Sequence, residues 1–158
     1  MKIKPGLSLL LSAIWLAGAA RGAEAEVLTV GFDKLASYEF VPPEDLAKAA
    51  AAEAQIPERV REFNDKKVAV TGFMLPVKMD AGLVTEFLLV KDPMMCCYGV
   101  MPKVNEWIVV KMTGKGVPPL MDVPITFEGT LSVGQLYEGG YLTGLYLLKG
   151  ERRVEQKG

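Results

Sequence analysis

A chain of 158 residues with 18 basic and 19 acidic side chains carries no electrostatic footprint for nucleic acid and no polybasic segment for anionic lipid. It has no histidine, which removes the commonest general base and metal ligand and argues against hydrolytic chemistry. Half of its residues are apolar, enough for one domain to build a core without disulfide staples.

Lys2 and Lys4 open the chain, Leu7 to Ala20 is free of charge, and Ala23-Glu24-Ala25 supplies small residues for cleavage. This is the pattern of a secretory signal peptide over residues 1–25. The uncharged run of 14 residues falls short of the ~18 that a membrane span needs, and no cysteine follows it as in a lipoprotein precursor. The expectation is a periplasmic protein with no membrane span after cleavage.

Residues 26–66 read as an extended segment followed by helices, with a short extended piece at Val27–Phe32. Pro42-Pro43 punctuates the chain. Glu44 to Gln55 then has a helix-forming composition around Leu46 and Ala49–Ala52, and Glu44 and Asp45 suit the positive end of its dipole. Ile56-Pro57 stops that helix. A second is predicted over Pro57–Phe63, where Ile56, Val60 and Phe63 recur at i, i+4 and i+7. Neither carries chemistry, so both are expected to pack on the barrel or cap one end of it.

Residues 67–158 change to strand patterns. Val68–Leu75, Glu86–Val90 and Trp107–Val110 are apolar on both alternating faces, as in strands covered on two sides. In the fourth, Ile125, Phe127, Gly129 and Leu131 alternate with Thr126, Glu128, Thr130 and Ser132; Tyr141–Leu148 makes the fifth. Gly72, Gly129 and Gly144 each interrupt a strand, which marks a bulge or a bend at a barrel corner. The pattern predicts a mainly β fold: a small five-stranded OB-like Greek-key barrel with one or two N-terminal helices. A small sandwich of the same strands is the alternative.

The connection Lys91–Asn105 between the second and third strands holds the only two thiols, Cys96 and Cys97, within Met94-Met95-Cys96-Cys97-Tyr98-Gly99-Val100-Met101. Adjacent cysteines close only a strained ring, so an ordinary structural disulfide does not account for them. Thiolate and thioether ligands together favour Cu(I), and thiolates also accept Zn(II), although tetrahedral zinc would need further ligands. Cys96 and Cys97 with Met94, Met95 or Met101 are therefore the sharpest candidate metal ligands. Two other readings stay open: cysteines that are simply core residues, and a redox-active pair. Tyr98, Pro102 and Asn105 complete the candidate binding loop. Among the other aromatics, Trp107 and Tyr146 read as core, and Tyr137 and Tyr141 as surface. Ser132 has no base to activate it, and Gly114-Lys115-Gly116 reads as a turn.

Ile56-Pro57, Gly72-Phe73-Met74-Leu75-Pro76, Phe87-Leu88-Leu89-Val90 and a cysteine loop ahead of Pro102 and Asn105 form a recognisable series. Through it the chain resembles the exported bacterial family known as domain of unknown function 3299, over Val27 to Val154. Many members of that family carry Cys-x-His in the loop. Here Tyr98 stands two residues after Cys96, with Cys97 between, so the resemblance implies a thiol-only site rather than zinc. It also implies an association with an envelope or inner-membrane transporter component. The expected function is a periplasmic, non-enzymatic binding or accessory protein with a soft-metal loop. Its alternative is a protein-interaction module of an envelope transport complex with purely structural cysteines.

Overall fold

Val68, Val70 and Met74 fall on one parity of Lys66–Asp80 and all three are buried, so period-two alternation makes this segment a strand, β2, with one face to the core. In this computed structural model, which describes residues 26–96 and 102–155, β2 is the staple of the sheet. The segment with the pattern of an export signal, 1–25, lies outside the described residues, as do 97–101 and 156–158. Preceding β2 are the two-residue β1 (Leu28–Thr29) and three short helices, α1 (Phe32–Leu35), α2 (Ala49–Glu53) and α3 (Glu58–Arg61). After it come β3 (Leu83–Val90), β4 (Trp107–Met112), β5 (Ile125–Glu138) and β6 (Tyr141–Val154).

The pairings close a ring. From Lys66 to Gly72 β2 runs antiparallel to β5, and from Phe73 to Asp80 it runs antiparallel to β3. β3 pairs antiparallel with β4, β4 parallel with β6, and β6 antiparallel with β5. Five strands thus succeed one another around the ring β2-β3-β4-β6-β5, and β1 joins β2 in parallel as the sixth strand of a mixed sheet. Gly72 stands where β2 hands over from β5 to β3. A Cβ there would lie 2.7 Å from the Val90 carbonyl oxygen and 2.9 Å from Leu89 Cγ, so only glycine lets the strands approach at this corner. Gly129 has the same role beside the bulge in the β5–β6 ladder, where a Cβ would meet the Lys149 carbonyl oxygen at 2.1 Å.

Phe87, Leu89, Ile108, Val110, Phe127, Leu131, Tyr146 and Leu148 fill the ring, with Phe87 and Phe127 rings tilted at 52° and 4.8 Å apart. The N-terminal segment adds Phe32, Leu35, Ile56 and Val60 to the same core, the packing role expected of it. Tyr146 ties the two together: its hydroxyl donates to the Leu35 carbonyl at 2.7 Å and accepts from the Tyr38 hydroxyl at 3.0 Å.

Several boundaries differ from the sequence expectation. The single helix over 44–55 is a 3-10 turn, Leu46–Lys48, running into α2, with Asp45 Oδ1 accepting from the Lys48 amide at 3.1 Å. The helix expected over 57–63 is only Glu58–Arg61, because Pro57 caps it from an extended conformation. α1 has no counterpart among the expected elements; four residues are too few to show a period. The strands expected to end at Leu75, Leu131–Ser132 and Leu148 continue to Asp80, Glu138 and Val154. The first two extensions, with their partners on β3 and β6, make two hairpin arms that project past the ring. Polar alternation hides them in the sequence: Lys78 and Asp80, like Glu138, are paired in a ladder rather than buried.

Candidate functional site

The face of β3, β4 and β6 that points away from the core carries a short apolar row beside a charged one. Leu88, Val109 and Leu147 sit side by side across the three strands, since Leu88 pairs with Val109 and Val109 with Leu147. The two arms rise on either side. Val77 of the β2–β3 arm and Gln135, Leu136, Tyr137, Glu138 and Thr143 of the β5–β6 arm line a groove of about 520 Å³ above that floor. This lies within the usual range for a binding cleft.

At one end of the groove Lys111 stands between two carboxylates, its Nζ 3.5 Å from Glu86 Oε1 and 3.3 Å from Glu138 Oε1. Partial desolvation, which favours the neutral amine, is outweighed by the hydrogen bond to Glu138 and the charges of Glu86 and Glu138, and the ammonium is held above its ordinary range. The strand register also sets Lys78 opposite Glu86 and Lys149 opposite Lys111, so the two carboxylates stand among three lysines. At the other end Trp107 Nε1 donates to the Thr143 carbonyl at 3.0 Å. Gly144 leaves room there, since a Cβ on it would meet Trp107 Nε1 at 3.2 Å and Val109 Cγ2 at 3.4 Å.

The N-terminal helices fix one wall. Glu53 Oε2 at the end of α2 accepts from the Gln135 amide at 3.0 Å and from Gln135 Nε2 at 2.9 Å, and Gln135 Nε2 also donates to the Ala49 carbonyl at 2.7 Å. Gln135 Oε1 in turn accepts from the Tyr137 hydroxyl at 2.8 Å. Both groove residues are thus oriented through a helix distant in sequence, the kind of supporting contact that holds a binding surface in shape.

The cysteine loop begins where β3 ends. Its base is fixed by Lys91 and Glu106, through the Lys91 amide to the Glu106 carbonyl at 3.1 Å and Lys91 Nζ to Glu106 Oε1 at 3.6 Å. Pro93–Cys96 forms a 3-10 turn, opened by Asp92 Oδ1 accepting from the Met94 amide at 2.8 Å. Met94 is 49% exposed, and the backbone of Met95 and Cys96 continues the turn. Cys97, Tyr98 and Met101 lie outside the described residues. Pro102 is half-buried. Asn105 is fully buried and donates from Nδ2 to the Tyr38 carbonyl at 2.7 Å, while its Oδ1 has no partner among the described residues. Among the described residues no three His, Cys, Asp or Glu side chains gather as a metal site would require.

Of the aromatics, Tyr146 is core as expected and Tyr141 is 79% exposed at the tip of its arm; Trp107 is half-buried at the groove's end. Apart from Tyr137, the groove residues are not candidates that the sequence singles out. A signal is nevertheless present: Glu86–Val90 and Trp107–Val110 are apolar on both faces, which calls for a cover on each. The chain covers one face with its core and leaves the other as the groove floor.

Fold and site define a class: a mainly β domain in which a ring of five strands, buttressed by short N-terminal helices, presents a concave apolar face between two hairpin arms. The chain belongs to a family described as protein of unknown function (DUF3299), whose model matches residues 32–152. The fold is similar to a crystal structure, at 2.45 Å resolution, of a DUF3299 family protein (PA4066) from Pseudomonas aeruginosa PAO1, with a TM-score of 0.61 and 24% identity over 85% of this chain and 100% of that one. No curated protein matches the chain.

Proposed function

We propose that this chain is an exported, periplasmic, non-enzymatic binding protein that serves as an accessory component of an envelope system, and that the groove is its binding surface. The ring reads as a barrel of the oligonucleotide/oligosaccharide-binding type. Three strands run as a meander (β2-β3-β4), the last strand inserts parallel to the third, and the fourth closes onto the first. In such barrels the ligand lies over the second and third strands, between the first and last hairpin loops. The observation that carries the proposal is that a groove floored by half-buried Leu88 and Leu147 and buried Val109 lies on that face, between those hairpins. The uncharged N-terminal run supports export.

Photocrosslinking in the cell envelope tests this reading. A photoreactive side chain at Glu138, on the groove rim, is expected to give a discrete adduct, and one at Glu44, which does not line the groove, is not. Adducts from Glu44 alone would contradict it.

A soft-metal loop is a second reading, favoured by the exposed thioether of Met94 in the turn that leads into Cys96 and Cys97. Cu(I) or Zn(II) would bind through Cys96, Cys97 and the neighbouring methionines. Native mass spectrometry of the mature chain purified without reductant is then expected to find one metal, lost in the C96S/C97S variant. A metal-free mass would leave the groove as the only binding surface proposed.

A further inference from the structure

We propose that the groove has one moving wall: the β5–β6 arm, residues 134–143, swings as a unit about the paired bulges at its base, and Glu53 of α2 is the latch that holds it over the floor. This rests on the reading of the groove as the binding surface and adds how access to it is controlled.

The base of the arm is built to bend. β5 leaves its partner β2 after Leu131, and β6 joins its parallel partner β4 only from Leu147, so beyond them the hairpin is paired to itself alone. Its own ladder slips twice there. Val133 pairs with Tyr146, Leu136 with Gly144 and Tyr137 with Leu142, a register shift on each side of Leu136. Such bulges interrupt the ladder and bend the strand. Gly134 lies between them and the ring with a φ of 152°, a backbone that L side chains rarely adopt, and a Cβ on it would come within 3.2 Å of Glu53 Oε1.

Little besides side chains holds the arm down. None of residues 134–143 is buried, and Leu142 is the only apolar side chain among them packed against the core. A segment with so few buried contacts opens at low free energy. Its ties to the rest of the molecule run from Glu53 to the Gln135 amide, from Lys111 to Glu138 and from Trp107 to the Thr143 carbonyl. Glu53 is the firmest of these, since its carboxylate takes two hydrogen bonds from Gln135, at 3.0 and 2.9 Å.

The opposite wall is held differently. The β2–β3 arm carries the same double shift, on either side of Lys78, but its main chain is pinned to the connection that follows β4. There the Val84 amide donates to the Val117 carbonyl at 2.8 Å and the Val117 amide to the Val84 carbonyl at 3.0 Å. One wall is thus fixed through its backbone and the other latched through side chains, as a fixed and a moving jaw would be. Leu136 and Tyr137 travel with the moving jaw, so its swing sets their distance from Leu88, Val109 and Leu147.

Native-state hydrogen exchange of the mature chain, resolved by NMR over a series of low urea concentrations, tests this without a ligand. Amides of residues 135–143 are expected to share one opening free energy, below that of Val68, Val70 and Phe127 in the ring. Glu53→Ala should raise exchange in the arm about tenfold, as loss of hydrogen bonds to a charged group gives. The ring should rise by less, and residues 77–83 by no more than the ring. Glu53→Gln, which keeps one acceptor oxygen, should fall between wild type and Glu53→Ala. Arm exchange indifferent to Glu53→Ala, or arm and ring rising by the same factor, would overturn the latched hinge. Separate opening energies along the arm would overturn it too, since a hairpin that frays from its tip does not swing as a unit. Each of those results would leave the groove reading standing as a rigid cleft. Absence of crosslinks from Glu138 with the shared opening intact would instead overturn the binding surface.

Discussion

Tyr146 joins the ring to the segment that caps it, and its hydroxyl is the most consequential polar atom in the core. It is fully buried, donates to the Leu35 carbonyl and accepts from Tyr38. Burial first, and then the neighbouring Tyr38 phenol, push its ionisation far above the ordinary value of 10.0. Burial raises Tyr38 as well, against the opposing effect of its hydrogen bond to Tyr146. The folded state therefore keeps these protons at pH values where the unfolded chain has lost them. Their contribution to stability is complete below about pH 10 and declines as pH rises from there toward the folded values. Removing the hydroxyl in Tyr146→Phe strands the Leu35 carbonyl and should cost about 1–2 kcal/mol at pH 7. Urea unfolding at pH 7 and pH 11 is expected to show that loss at neutral pH and a shallower alkaline decline in the variant. An unchanged midpoint at pH 7 would mean the carbonyl finds another donor.

Between elements, the informative contact is α2 with the β5–β6 arm. Among the described residues Glu53 is the only side chain that accepts from the Gln135 amide, so the arm's position depends on a helix 82 residues earlier. Glu53→Ala should lower global stability by about 1 kcal/mol and raise hydrogen exchange at residues 134–138 by a larger factor, because the arm can open without the ring. Exchange there that matches the wild type would show the arm to be held by its own hairpin. Such a contact cannot be read from the sequence, since Glu53 and Gln135 look like ordinary surface residues of a helix and a loop. The five ring strands are legible because Val68, Val70, Phe127 and Leu131 alternate with outward residues, and Gly72 and Gly129 mark their bends. The arms are not, because their stability comes from pairing and two-residue turns. Gly139 and Gly140 at one turn, and Ala81 and Gly82 at the other, all have positive φ, the geometry of tight hairpins.

For the whole molecule, the sequence points to the loop of Met94 to Met101 because its sulfur chemistry is conspicuous. The groove is built instead from common residues that become a site only when the ring closes. Leu88, Val109 and Leu147 come from three strands, and no local pattern links them. What local reading detects is the excess of apolar residues on faces that ordinarily meet water. Asn105 illustrates the converse: its sequence context offers it as a binding residue, and the fold buries it with its amide on the Tyr38 carbonyl, anchoring the loop's exit to the N-terminal segment. If the groove is the surface through which this chain meets its partner, an amide-resolved NMR titration of the mature chain with an end-blocked octapeptide that alternates leucine and serine should show it. Shifts are expected to concentrate at Glu86, Leu88, Val109, Lys111, Leu147 and residues 135–138, with residues 58–63 undisturbed. Shifts confined to residues 91–106, or scattered over the helical cap, would contradict a binding groove.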